Sequence, residues 1–481
     1  MSWAEVYPWR APAPTEPVIR TIYDQVRDAI RSGALRPGER LPSTRAFADL
    51  IKVARASVVA AYDLLIAEGY LAARRGAGAF VAADLSGLGE PPAPTPSPGP
   101  APAIPPRAAA LEEVILPRGP EARPFTNGRT LMDARALEAW SRSTRRALNS
   151  LGPEHFGYAD PRGDPALRAA IADYLRAARA VICEPDQVVV TAGAQHAVDL
   201  AARILLAPGD GVWLEDPGYP AMWHALRAAG AEIRPVPVDA QGLDVAAGVA
   251  RAPRAKLAVV TPSHQYPLGV TLSLARRLEL IAWAREAGAW IVEDDYASEF
   301  RYSGPPLASL QGLDGGERVI YVGTLNKAIF PGLRMGYLVA PKPLAEAFTT
   351  ARQLIDRQPP TPTQAIVRDF MESGQFAAHI RRRRLAYRGQ RDALVESLRR
   401  RLGHALEPTQ PEQGMQLIAF LKDGRSDLEA QAKAAERGLA VQPISRLYRG
   451  RPPRSGFILG FSGFPAAGMD GAVARLAEAI G

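Results

Sequence analysis

The chain has 481 residues, with 58 Lys and Arg against 50 Asp and Glu for a formal net charge of +8. That length implies roughly two to four domains around a sizeable core, and the charge permits an anionic partner without establishing one. The single cysteine, Cys183, excludes an internal disulfide and suits a reducing, cytoplasmic setting; no apolar run approaches a membrane span, no secretory pattern opens the chain, and no metal site is expected.

From the N-terminus, Val18 to Arg31 reads as an amphipathic helix with Ile19, Ile22, Val26 and Ile30 on one face. Pro42-Ser43 opens a second helix through Arg45, Phe47 and Leu50, with Ser43 as its N-cap. A third helix is expected from about Arg55 to Glu68, burying Val58, Tyr62 and Leu65 and stopping at Gly69. Tyr70 to Arg74 and Ala79 to Ala82 read as short strands joined by Arg75-Gly76-Ala77-Gly78. Together these elements make a winged helix-turn-helix whose third helix enters the major groove, with Arg74 and Arg75 able to approach phosphate. The bland alternative is a generic small fold with a solvated turn. Eleven basic against nine acidic residues over 1–84 do little to separate the two.

Specificity comes from the runs Leu41-Pro42-Ser43-Thr44-Arg45, Arg55-Ala56-Ser57-Val58-Val59-Ala60-Ala61-Tyr62, Ala67-Glu68-Gly69-Tyr70-Leu71 and Gly76-Ala77-Gly78-Ala79-Phe80-Val81. They resemble the GntR-type DNA-binding domain over about residues 15–84. The resemblance implies double-stranded operator DNA as a partner, with contacts from Arg45, Arg55, Arg75 and Gly76; Lys52 and Ser57 are further candidate contacts. One departure stands out: the family usually has Leu-Gly-Val-Ser-Arg where this chain has Ile51-Lys52-Val53-Ala54-Arg55. Lys52 replaces a glycine, and Ala54 removes a hydroxyl.

Residues 90–106 hold nine prolines in seventeen positions, a composition that makes an extended tether rather than a core. The expected organisation is a DNA-binding domain over 1–84, a Pro-rich linker over 85–124 and a large domain over 125–481. In the large domain strands and helices alternate, with buried strands expected at Val188–Thr191, Gly211–Glu215, Leu257–Thr261, Trp290–Asp294 and Arg318–Val322. That pattern predicts an α/β fold with a mostly parallel sheet covered on both faces and ligands gathering at the strands' carboxyl ends.

Five motifs fall at those ends. Thr191-Ala192-Gly193-Ala194-Gln195 turns a strand into a helix whose first N–H groups can cradle an anion. Glu215-Asp216-Pro217-Gly218-Tyr219 places an aromatic ring after a tight turn. The loop Thr261-Pro262-Ser263-His264-Gln265-Tyr266-Pro267-Leu268-Gly269 offers side chains to a phenolic oxygen, although His264 reads equally well as a satisfied loop histidine. Glu293-Asp294-Asp295-Tyr296 supplies a carboxylate able to keep a pyridine nitrogen protonated. Last, Gly323 to Arg334 sets Lys327 among small and hydroxylated residues, with an arginine seven positions on. A lysine that forms a Schiff base must lose its proton near neutral pH, which burial promotes. Each motif alone is weak; their order is not.

In that order they resemble the fold-type I, pyridoxal 5'-phosphate-dependent aminotransferases over about residues 125–481. The resemblance implies Lys327 for the Schiff base, Asp294 for the ring nitrogen, Tyr296 for the phenolic oxygen and Tyr219 for stacking. It also implies phosphate contacts from Ala194, Gln195, Thr324, Asn326 and Arg334, with Gln265 on the cofactor's polar edge. Tyr158, in Phe156-Gly157-Tyr158-Ala159-Asp160-Pro161-Arg162-Gly163, matches the segment that reaches the partner subunit's cofactor. Two departures matter. Asn326 stands where a serine often precedes the lysine, and Ile458 occupies the place of the arginine that clamps a substrate carboxylate. Arg446, Arg449 and Arg451 are candidate substitutes. The basic run Arg381 to Arg384, with Arg388 and Arg391, is either a solvated or interface helix or a second DNA-contacting surface.

A GntR-type reader tethered to an aminotransferase-like body resembles the MocR group of transcriptional regulators. That resemblance implies a homodimer, domain-swapped head to tail, sensing a small amine, an amino acid or the cofactor itself. The rival reading is a working aminotransferase with an accessory DNA-binding domain.

Overall fold

In the computed structural model the first helix, α1 (Val18–Arg31), buries Ile22, Tyr23, Val26, Ala29 and Ile30. Ile19 is 40% exposed, contrary to expectation: it shares the face of Val26 but sits in the first turn, at the end of the helix. The described residues are 8–13, 15–74, 77–84, 123–450 and 454–481. Arg75, Gly76, Arg451 and the proline-rich segment therefore lie outside them. The chain divides into two compact units, Met1–Ile104 and Pro105–Gly481.

In the small unit, α2 (Thr44–Ile51) starts where Ser43 Oγ accepts from Ala46 N at 3.1 Å. Its Leu50 points outward, 48% exposed, while Phe47, Ala48 and Ile51 enter the core. In α3 (Arg55–Ala67), Val58, Ala61, Tyr62 and Leu65 are buried against α1 and α2. Strands β1 (Leu71–Arg74) and β2 (Gly78–Val81) pair antiparallel with Leu71 opposite Val81, which places both of those side chains in the same core. Each such fully buried aliphatic or aromatic side chain contributes about 1.5–3 kcal/mol.

The large unit is built on eight strands: β3 (Val188–Thr191), β4 (Gly211–Asp216), β5 (Glu232–Asp239), β6 (Gly242–Leu243), β7 (Leu257–Val260), β8 (Trp290–Asp295), β9 (Val319–Thr324) and β10 (Gly336–Val339). Their order is β3-β10-β9-β8-β7-β4-β5-β6. The pairs β9–β8, β8–β7, β7–β4 and β4–β5 are parallel; β10 runs against both β3 and β9. Both faces are covered, as the apolar runs require: Val188 and Val190 join one buried cluster and Val189 the other. Each expected strand is present, to within two residues at its ends. The antiparallel β10 was not anticipated.

A second sheet, β11 (Leu406–Pro408), β12 (Gln416–Leu421), β13 (Gln442–Pro443) and β14 (Gly456–Gly460), is antiparallel in the order β11-β12-β14-β13. The long helix Gln375–Leu402 carries the basic run. Three of its arginines serve the fold: Arg383 donates to Leu131 O and pairs with Asp133, Arg384 donates to Glu299 O, and Arg391 donates to Pro411 O, whereas Arg381 and Arg388 are exposed. Among the described residues, no helix is long and apolar enough to cross a membrane.

Candidate functional site

Strands β3, β4, β7, β8 and β9 all run the same way, so their carboxyl ends open on one edge of the sheet. The five motifs meet there. β3 leads through Gly193 into α4 (Ala194–Leu205), and Gly193 has φ +121°. A Cβ on Gly193 would sit 2.7 Å from Asn326 Nδ2, so only glycine lets the two segments approach. Asn326 Oδ1 accepts from Met335 N at 2.8 Å, which turns its Nδ2 toward Gly193. The expected loss of a serine is thus met by an amide held in place at the helix start. Ala194 is half-buried there and Gln195 exposed.

Thr324 caps the one-turn helix α6 (Leu325–Ala328) by accepting from Asn326 N at 3.2 Å, where α5 is Pro220–Ala228. Lys327 projects from that turn, and its Nζ donates to Gly128 O at 3.1 Å across 199 positions of sequence. A Cβ on Gly128 would come within 2.2 Å of the amine. Burial pushes the Lys327 ammonium below its ordinary pKa. Arg334, at φ +50°, is exposed, and its guanidinium makes no hydrogen bond or ion pair among the described residues.

Strand alternation separates the acids of β8. Glu293 accepts from Leu310 N and Gln311 N, and Asp295 from Arg179 and Tyr321, all on one face. Asp294 faces the other way with Oδ1 buried and unpartnered. Burial, reinforced by the charges of Asp295 and Glu215, raises its pKa to about 7. A buried carboxylate left like this needs a cationic or N–H partner. A protonated pyridine nitrogen meets that need, and with the desolvated lysine and the Gly193 cradle it forms a donor set that fits pyridoxal phosphate.

Tyr296 Oη receives a 3.4 Å hydrogen bond from Gln416 Nε2. Tyr219, 42% exposed, stands edge-on to Tyr266 at 5.3 Å. Gln265 is a correction: its Nε2 donates to Pro217 O at 2.8 Å and Tyr266 O at 2.6 Å, bracing two turns instead of offering a free donor. His264 is packed against Gly269 and Gly414 and held neutral, its pKa lowered by burial to about 4. Tyr158 is 79% exposed, with the Arg357 guanidinium 3.6 Å above its ring. Of the arginines offered as a replacement clamp, Arg449 lies over the Trp223 ring at 3.9 Å, Arg446 is exposed and Arg451 is outside the described residues.

Sequence reasoning passed over Asn127, Gly128, Gln442 and the part played by Tyr266. Asn127 Nδ2 and Gln442 Oε1 hold the Tyr266 hydroxyl at 3.3 and 3.4 Å. The dipeptide Asn127-Gly128 signals a turn, but nothing local links it to Lys327.

In the small unit, α3 follows Ala54 with no side-chain cap, so no side chain covers its first N–H groups, although the Ser57 N–H bonds Ala54 O at 3.0 Å. Arg45 and Arg55 are exposed, Arg55 Nε donates to Thr44 Oγ1 at 3.3 Å, and Ser57 is half-buried on the first turn of α3. Lys52 keeps the turn expected of glycine by adopting φ +55°. Arg74 lies over the Phe80 ring at 4.6 Å, on its own hairpin.

Comparison with known proteins accounts for both units. Residues 18–81 match the family "Bacterial regulatory proteins, gntR family", and residues 126–475 match "Aminotransferase class I and II". The probable rhizopine catabolism regulatory protein MocR of Rhizobium meliloti is 37% identical over 96% of this chain and 94% of its own. The pyridoxine biosynthesis transcriptional regulator PdxR of Corynebacterium glutamicum is 33% identical over 95% and 94%. Among solved structures, the multiple substrate aminotransferase of Thermococcus profundus superimposes with a TM-score of 0.68 at 29% identity, over 77% of this chain and 93% of that one. The regulators span both units, whereas the aminotransferase spans only the body. The chain belongs to the MocR-type transcriptional regulators, in which a GntR-type winged helix-turn-helix is joined to a fold-type I aminotransferase-like domain.

Proposed function

We propose that this regulator carries pyridoxal phosphate on Lys327 and that an amine, an amino acid or the cofactor itself, acting there, sets how a cytoplasmic homodimer reads its operator. The observation that carries the reading is Asp294 Oδ1, buried without a partner on the edge where Lys327 is stripped of water. When bound, the cofactor supplies an aldehyde able to condense with a neutral primary amine.

Each residue then has a task. Lys327 presents an amine whose proton burial makes easier to lose. Asp294 holds the proton on the ring nitrogen, Tyr296 donates to the phenolic oxygen, and Tyr219 covers the ring. Thr324, Asn326, Arg334 and the N–H groups of Ala194 and Gln195 take the phosphate. Tyr158, exposed and capped by Arg357, reaches the second subunit of a head-to-tail, domain-swapped pair. On the DNA, Arg45, Lys52 and Arg55 meet phosphates or bases with Ser57 beside them, and Arg75 and Gly76 add contacts of their own. A ligand shifts such a dimer only through its unequal affinity for two arrangements of the large domain.

The test has two arms. Borohydride reduction followed by peptide mass spectrometry is expected to place a phosphopyridoxyl group on Lys327 and nowhere on the Lys327→Ala variant. DNA footprinting of the full chain with and without pyridoxal phosphate is expected to show a changed protection pattern. An adduct on another lysine, or none, refutes the proposal.

A further inference from the structure

β14 and the loop after β7 build an apolar wall against Tyr296, the residue assigned to the cofactor's phenolic oxygen. Ile458 on β14 is completely buried, packed with Tyr266 and Leu447, with Tyr296 against the same cluster. Across the sheet it faces Ile418 on one side and Gln442 on the other. The Tyr266 ring is fixed over it from both ends of its hydroxyl, by Asn127 and Gln442. This wall is therefore hydrocarbon and phenol, fastened by neutral amides.

Among the described residues, cations on the adjoining segments turn to other partners or to solvent. Arg129, two residues past Asn127, lies 4.9 Å from the Phe464 ring centroid. Arg449, two residues past Leu447, lies over Trp223, and its backbone N–H donates to Asp216 Oδ1 at 2.9 Å. Arg446, beside Leu447, is solvent-exposed. Beside this wall the charged groups are acidic, Asp294 and, behind it, Glu215, which accepts from Thr261 N and Oγ1, while Lys327 and Arg334 are taken up by the cofactor's aldehyde and phosphate. An ionised carboxylate brought to this wall loses its water and, among the described residues that build it, meets no counter-charge. A neutral substituent loses nothing comparable, because Asn127, Gln416, Gln442 and the two phenols supply hydrogen bonds without charge.

Resting on the reading that Lys327 holds pyridoxal phosphate, we infer that the ligand of this site is a primary amine with no carboxylate on its amine-bearing carbon, and that α-amino acids are discriminated against. The exchange is balanced. The incoming nitrogen bonds to the aldehyde carbon as the bond from that carbon to Nζ breaks, the two protons of the incoming amine pass to Nζ, and nothing is oxidised or reduced.

The experiment titrates full-length, cofactor-loaded protein with matched pairs that differ only in the α-carboxylate: ethanolamine and serine, phenethylamine and phenylalanine, cadaverine and lysine. The readout is the shift of the visible absorption band. In at least one pair the amine is expected to bind about tenfold or more tightly than its amino acid, and in no pair the reverse. Ile458→Arg is expected to narrow or invert the gap by strengthening the amino acid. Should that variant fail to fold, the pairs on the native protein decide alone. Amino acids binding as tightly as their amines, or no member of any pair binding, overturns the inference. If instead borohydride finds no pyridoxyl adduct on Lys327, the underlying reading fails first, and the two failures are distinguishable.

Discussion

The two sides of strand β8 carry the same chemistry in opposite circumstances. On one side Asp295 is paired with Arg179 at 2.7 Å and with the Tyr321 hydroxyl, and Arg179 also donates to Ser263 Oγ at 2.7 Å. On the other, one residue away, Asp294 has a buried oxygen that nothing in the described chain satisfies. A buried charge that is fully partnered belongs to the fold, while one left open belongs to a ligand. The small unit repeats the contrast in miniature. There α2 is capped by Ser43, whereas α3, the helix expected to meet DNA, starts without a cap.

The largest effect is expected from Arg179→Met, which strands Asp295 in the interior. Removing one partner of a buried pair typically costs about 3–5 kcal/mol, so chemical denaturation should show a large fall in the stability of the large unit. A loss under about 1 kcal/mol would break the contrast, since Asp295 would then be as tolerant of solitude as Asp294.

Asp294→Asn should do the opposite, sparing the fold while weakening cofactor binding by at least about tenfold, the equivalent of one pKa unit of interaction, measured by titrating pyridoxal phosphate. It also carries a pH signature. Because the folded pKa of Asp294 is raised from the ordinary carboxylate value to about 7, the native state binds its proton more tightly than the unfolded chain does. The resulting stabilisation is complete below the unfolded pKa and is lost as pH climbs through about 7. Cofactor-free protein should therefore melt at lower temperature as pH rises across that window, with a shallower slope in Asp294→Asn. Glu215 and Glu293, raised to about 7 by burial, add slope of the same sign in both proteins.

Smaller effects come from the small unit. Lys52 holds a left-handed backbone conformation at the end of α2, which costs a non-glycine residue about 1 kcal/mol. Lys52→Gly should return that amount in thermal melts of the full chain while weakening DNA binding through the lost charge. Ala54→Ser, which supplies the missing cap of α3, should add about 0.5–1 kcal/mol. If it adds nothing, the helix start is already satisfied, and the idea that it is reserved for phosphate loses its support.

Much of this was legible in the residues themselves, because periodicity and turn chemistry are local. The period-3.6 stripe of α1, the Ser43 cap, the strand-to-helix turn at Gly193 and the lysine after β9 all appear at their expected places. The error at Ile19 arose because a stripe says which face is apolar but not how much of it a neighbour covers. Gln265 was misread for a related reason: the sequence showed a polar donor but not the carbonyls that claim it.

What the sequence determined by itself was the roster: two units, the order of the motifs, and the residue types at each strand end. Tertiary structure decided allegiance. It turned Asp294 toward the open edge and Asp295 into the core, brought Gly128 against Lys327, and laid Tyr266 over Ile458. These outcomes depend on segments far apart along the chain packing side by side, and no window of neighbouring residues encodes which buried group will be left without a partner.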